Sequence, residues 1–197
     1  MMQLMKVAAV RGIQPFYLGN KKLPKYWTAD EVRRIIAVTH DDRYRLLFEL
    51  LWRTGMRVSE ALALTPANFD FYTKVVIVPT LKRRGHPTRI IPIADDLLYW
   101  VRSYIEEFCI LPHQRLFPVT RQAVFDAVEK SCKLAELYDD RAHPHTFRHS
   151  FAVHCVLSGV PLVVLNEWLG HADIRNTLIY TKVTAQDTRA YYEQINW

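Results

Sequence analysis

His145-Thr-Phe-Arg148-His149 is followed, after a helix-length interval, by Leu169-Gly170-His171 and, nine residues further on, by Tyr180. Two imidazoles, a guanidinium and a phenol recur at intervals that one or two helical turns and a short loop can fold together. Such a set is suited to gripping a phosphate and attacking it. Pro144 is well placed as the first residue of a helix running through Phe147, Phe151 and Val153 to a stop at Gly159. Pro161 then opens a helix ending at Leu169-Gly170, and Asp173 can cap the one that holds Leu178-Ile179-Tyr180.

Upstream lies Arg53-Thr-Gly55-Met-Arg57-Val-Ser-Glu60-Ala-Leu-Ala-Leu64. Thr28-Ala-Asp-Glu31 reads as a capping box, which predicts a helix to about His40. A second helix, Arg43 to Thr54, carries Leu46, Leu47, Leu50 and Leu51 on one face and ends at Gly55, which can take the left-handed cap conformation. Arg57 then starts a short helix, with Glu60 one turn on and close enough to orient the guanidinium.

Lys74-Val-Val-Ile-Val-Pro79 is β-branched and reads as a strand, with Arg89-Ile-Ile-Pro-Ile93 its expected partner. Between them, Leu81 to Thr88 forms a basic hairpin or loop whose Lys82, Arg83, Arg84 and His86 can enter a DNA groove or reach a phosphate; a solvated charged turn is the alternative. Asp95 to Phe108 and Thr120 to Leu137 have helical spacing and look like scaffold. The expected fold class is mainly α with a small antiparallel β-sheet (α+β). Three parts are expected: a basic N-terminal arm or linker (1–27), a main unit (28–183) and a C-terminal helix (184–197).

The 197 residues are half hydrophobic, enough for a sizeable core. Lys plus Arg exceed Asp plus Glu by 26 to 20, a net charge of +6 that favours polyanionic partners. Cys109, Cys132 and Cys155 are odd in number and widely spaced, against a disulfide framework or a cysteine zinc site. No apolar run approaches the ~18 residues of a membrane span, and Met1 to Lys6 lacks a secretory layout, so a cytoplasmic protein without membrane contact is expected. His143, His145, His149 and His154 do not form a metalloprotease pattern, and no carboxylate cluster suited to Mg²⁺ is present; no metal is expected.

Taken in order, the three segments resemble the catalytic domain of the tyrosine recombinases, or phage-type integrases, over about residues 28 to 183. The family's first arginine, after a Thr-Gly turn and before Val-Ser-Glu, is matched by Arg57 with Glu60 as its support. Its His-x-x-Arg box is matched by His145 and Arg148, its Leu-Gly-His by His171, and its nucleophile by Tyr180. The resemblance implies attack by Tyr180 on one DNA strand, giving a 3′-phosphotyrosyl link and a free 5′-hydroxyl, followed by attack of a partner strand's 5′-hydroxyl. No cofactor is required, because the phosphotyrosyl link conserves the energy of the phosphodiester bond that it replaces.

Within that chemistry Arg57 and Arg148 clamp the phosphate, His145 takes the tyrosine proton, and Lys82 protonates the leaving oxygen. His171 donates to a phosphate oxygen. A gapless alignment backwards from Arg89 would put the lysine's role on Arg84, but arginine is a poor proton donor. The short N-terminal part suggests either a naturally short member, like the fimbrial-switch invertases, or an isolated domain. The partners implied are double-stranded DNA and further copies of the chain, a dimer and then a tetramer on DNA, with the C-terminal helix (184–197) available for contact with a neighbouring subunit. The rival readings are a type IB topoisomerase-like relaxing enzyme and a DNA-binding regulator without chemistry. His149 and His154 are expected to be structural or hydrogen-bonded core residues, and Tyr191 and Tyr192 packing residues.

Overall fold

The computed structural model describes residues 22–79 and 88–183. Lys82, Arg83, Arg84 and His86, most of the expected arm and the expected C-terminal helix at 184–197 lie outside the described residues. Helices α1 (Ala29–Ala37), α2 (Asp42–Thr54) and α3 (Val58–Ala61) come first, then strands β1 (Phe69–Asp70), β2 (Val75–Pro79) and β3 (Thr88–Pro92). Helices α4 (Asp95–Glu107), α5 (Arg121–Leu134), α6 (Pro144–Leu157), α7 (Leu162–Leu169) and α8 (Arg175–Leu178) follow, and a 3₁₀ turn, Ile179–Val183, carries Tyr180. The mainly helical class with a small antiparallel sheet is what the sequence led one to expect. No helix among the described residues is long and apolar enough to cross a membrane.

Local chemistry sets the helix ends. The Thr28 N–H donates to Glu31 Oε2 at 2.7 Å and the Glu31 N–H to Thr28 Oγ1 at 3.3 Å, the reciprocal capping expected for α1. Helix α2 starts one residue earlier than its apolar pattern suggests, because the Asp41 carboxylate accepts the Arg43 N–H at 2.9 Å. Helix α5 stops at Leu134, short of the expected Leu137, and Glu136 turns the chain with φ +56°.

Helix α6 is the axis of the molecule. Its Phe147 belongs to the larger core, packed against Phe48 (centroids 5.1 Å apart) and Trp27 (5.0 Å), while Phe151, Ala152, Val153, Cys155 and Val156 belong to a second apolar cluster with Leu165, Leu169, Ile179 and Tyr180. Trp27, expected at the end of an extended arm, is 1% exposed, and its backbone N–H donates to Ser150 Oγ on α6 at 2.8 Å. The folded unit therefore includes residues ahead of Thr28.

The sheet has the order β1-β2-β3, all antiparallel, with Val76 opposite Ile91 and Val78 opposite Arg89. The two-residue period of β3 turns Arg89 and Ile91 inward and leaves Thr88, Ile90 and Pro92 exposed. A guanidinium is thereby placed in the interior.

Gly55 ends α2 with φ +62°, and a Cβ built on it would lie 2.2 Å from Cδ1 of Phe151 on α6. Backbone conformation and close helix approach both demand glycine there. Gly55→Ala is expected to destabilise the fold by about 2–4 kcal/mol, through left-handed strain and overpacking together. Equilibrium urea unfolding measures this; an unchanged midpoint would show that α6 can retreat without cost.

Candidate active site

Arg148 sits on the buried face of α6 and is 5% exposed. Its two terminal nitrogens donate to main-chain carbonyls, Nη1 to Gly55 at 2.6 Å and Nη2 to Leu169 at 2.8 Å. The ends of α2 and α7 thus aim this side chain. Burial, with the Arg57 charge next, pulls Arg148 down to about 9, so it remains a cation at neutral pH. An anion brought beside it would restore what burial has taken away.

Arg57 lies just before α3 and its side chain is 30% exposed. Its backbone N–H donates to Glu60 Oε2 at 2.7 Å and its Nη1 to Oε1 at 2.9 Å. Glu60 is the orienting carboxylate expected from the sequence, and it has a second partner. Arg89 reaches it from β3 in a fork, Nη1 to Oε1 at 3.0 Å and Nη2 to Oε2 at 2.7 Å. Burial alone would raise the Glu60 carboxyl, but the bonds from Arg89 and Arg57 outweigh it and hold it below its usual range.

His171 follows the left-handed Gly170 (φ +61°) that ends α7. Asn166 Nδ2 donates to the His171 carbonyl at 3.4 Å, which turns the Asn166 Oδ1 towards Thr177. The Thr177 hydroxyl gives its one proton to that oxygen at 2.8 Å, so it can only accept from His171 Nδ1, also at 2.8 Å. Neutral His171 therefore carries its proton on Nδ1 and offers Nε2 as a bare acceptor. To donate to a phosphate through Nε2 it must first gain a second proton. Burial, then the charges of Arg148 and Arg57, push it down to about 3, so it is neutral until an anion arrives.

Tyr180 is 2% exposed. Its hydroxyl is 2.8 Å from Nδ1 of His149. The imidazole within reach of the phenol is thus His149, one helical turn beyond the expected His145. Burial, then His145 and Arg148, push His149 down to about 4, leaving it neutral and able to accept. Burial raises Tyr180 while the Arg148 charge lowers it, with a net rise. His145 is lowered by burial and by the charges of Arg121, Arg148, His143 and Arg57.

Sequence reasoning missed the contacts of Arg89, Asn166 and Thr177, and read His149 as a structural or hydrogen-bonded core residue without naming Tyr180 as its partner. Two of the contacts cross spans that no local pattern encodes: Arg89 with Glu60 is 29 residues apart, and His149 with Tyr180 is 31. The expected structural role of His154 fits its ring packing on Trp52, centroids 5.2 Å apart.

The chain has relatives among known proteins. Residues 25–187 match the Phage integrase family. The tyrosine recombinase XerD of Haemophilus influenzae is 32% identical over 191 residues, covering 89% of this chain and 63% of that protein. The tyrosine recombinase XerA of Thermococcus onnurineus is 36% identical over 188 residues, 88% of this chain and 64% of its own. A resolvase of Escherichia coli is 31% identical over 217 residues, 92% and 82%.

Among solved structures, a XerA recombinase superposes with a TM-score of 0.72 at 24% identity, covering 90% of this chain and 68% of that one. The catalytic domain of bacteriophage HP1 integrase does so at 0.65 and 23%, covering 86% and 94%. The fold is that of a tyrosine recombinase catalytic domain. The chain belongs to the Phage integrase family, and it spans a little under two thirds of the length of its XerD and XerA relatives.

His145, His149 and His171 are all held below the ordinary imidazole value of 6.5 in the fold. As pH falls through that value the unfolded chain takes up protons that the folded chain refuses. Stability is therefore full above about 6.5 and is lost progressively towards about 4 and 3. The melting temperature without DNA is expected to lie about 5 °C or more lower at pH 5 than at pH 7.5, and His149→Gln or His171→Gln to flatten the profile. Equal melting at both pH values in the wild type would show that these rings are solvated.

Proposed function

We propose that this chain is the DNA breaking and rejoining part of a site-specific recombinase, with Tyr180 as nucleophile. The observation that carries this reading is the convergence of Tyr180, on His149, with Arg57, Arg148 and His171, cationic or anion-sensitive groups from separate elements. The named relatives support it: XerD and XerA are tyrosine recombinases, and XerH is a recombinase solved bound to its difH substrate.

The phosphate of one strand sits between Arg57 and Arg148, and its negative charge draws a second proton onto His171. Neutral His149 accepts the phenolic proton as the Tyr180 oxygen bonds to phosphorus. The bond to the 5′-oxygen breaks, and Lys82 supplies the proton that makes it a 5′-hydroxyl. A 3′-phosphotyrosyl link remains, and a second strand's 5′-hydroxyl reverses the step to complete exchange. His145 assists on the phosphate side, and the basic stretch with Arg83, Arg84 and His86 contacts DNA. The reaction uses no cofactor, and recombination of paired sites calls for a dimer and then a tetramer on duplex DNA in the cytoplasm, with 184–197 as the contact segment. Residues 28–183, with Trp27 packed into their core, form the catalytic unit behind a basic arm.

The test is covalent trapping in EDTA on nicked duplexes drawn from the DNA flanking its own gene. Wild type is expected to give a denaturation-resistant adduct, Tyr180→Phe none, and His149→Gln one that forms roughly 100-fold more slowly. An adduct that persists in Tyr180→Phe contradicts the assignment. Adducts at arbitrary sequence with monomeric relaxation of supercoils favour a type IB topoisomerase-like enzyme, and salt-sensitive binding with no adduct favours a regulator.

A further inference from the structure

Arg89 is 8% exposed and spends its donors in two directions. Its fork binds the Glu60 carboxylate, while its Nε donates to the carbonyl of Trp168 at 2.7 Å, in the last turn of α7. The next carbonyl, Leu169, is taken by Arg148. Two consecutive carbonyls at this helix end, where the dipole favours cations, are thus each held by a different arginine. The side chain of Arg89 also lies flat on Gly170, where a Cβ would come within 3.1 Å of its Cδ, immediately before His171.

Charge leads to the same residue. Two guanidiniums, Arg57 and Arg89, bond one carboxylate, Glu60, whose charge also acts on a third, Arg148. Without Arg89, the full Glu60 charge would fall on Arg57 and draw it inward. With Arg89 in place, Glu60 is already paired and still aims Arg57, whose remaining donors stay available at the surface.

Building on the strand-cleavage reading, we infer that Arg89 is a positioning residue for that reaction: it ties Arg57, through Glu60, to the turn that presents His171, and does so without touching DNA. The spacing between clamp and imidazole is then set by one planar side chain. Lysine at this position would keep the charge but could not span the carboxylate and the Trp168 carbonyl together.

The experiment measures single-turnover adduct formation and DNA affinity for wild type, Arg89→Lys, Arg89→Met, Arg57→Lys and the Arg57→Lys/Arg89→Lys double variant, with melting curves for each. Arg89→Lys is expected to bind DNA within about 3-fold of wild type yet cleave about 100-fold more slowly. The double variant should be no more than about 3-fold slower than the slower single, because both substitutions disable one unit. Should Arg89→Met not fold, Arg89→Lys carries the comparison. Cleavage by Arg89→Lys within about 3-fold of wild type, multiplicative losses in the double variant, or a Lys protein unfolded at assay temperature would each overturn the inference. Absence of any wild-type adduct would instead remove the strand-cleavage reading, and this inference with it.

Discussion

A buried carboxylate shared by two arginines holds the site in shape. Glu60, its side chain 3% exposed, would be costly to bury alone, and so would Arg89 at 7%. Together they form a forked pair that satisfies both, and the same carboxylate caps the backbone of Arg57 and orients its side chain. Arg148, held by two carbonyls instead of a carboxylate, leaves the region with an excess of positive charge. That excess opposes folding and favours an anion. A phosphodiester answers it best in the transition state, where its charge spreads over the non-bridging oxygens.

Two left-handed turns help the converging elements approach one another. Gly55 and Gly170 both adopt left-handed conformations, one letting α2 meet α6 and the other letting α7 end against Arg89. Helix α6 crosses between the two apolar clusters, so the same rigid rod supplies Arg148 on one side and His149 on another. The Tyr180 turn packs on that rod, which is why its hydroxyl meets an α6 imidazole. Scaffold packing and the Tyr180–His149 hydrogen bond therefore depend on one helix.

Much of this was legible in the sequence because it was local. Thr28 with Glu31, Gly55 and Pro144 announce helix ends by side-chain chemistry acting within a few residues, and the β-branched run before Pro79 announces its strand. Arg57 with Glu60 was legible for the same reason. Arg89 was not: at the start of a strand a charged residue reads as outward-facing, yet here the inward register holds it because Glu60 awaits on another element. His145 and His149 are one turn apart on the same helix, and the choice between them is made by the path of the chain through Gly159 and Gly170, which spacing alone does not fix. Trp27 read as the end of a basic arm because its neighbours are charged, whereas its ring closes the core on Phe147.

The most direct test of a clamp built to meet charge compares two substrates with the same protein. Wild type and Arg148→Ala are each given a nicked duplex with either the natural phosphodiester or a neutral methylphosphonate at the scissile position, and the rate of adduct formation is measured. Because each preparation meets both substrates, any difference in folded fraction cancels. Loss of the guanidinium should cost roughly 1000-fold on the phosphodiester and far less on the methylphosphonate, where there is no charge left to answer. An equal loss on both would mean that Arg148 serves the fold and not the phosphate, and would contradict the site as described.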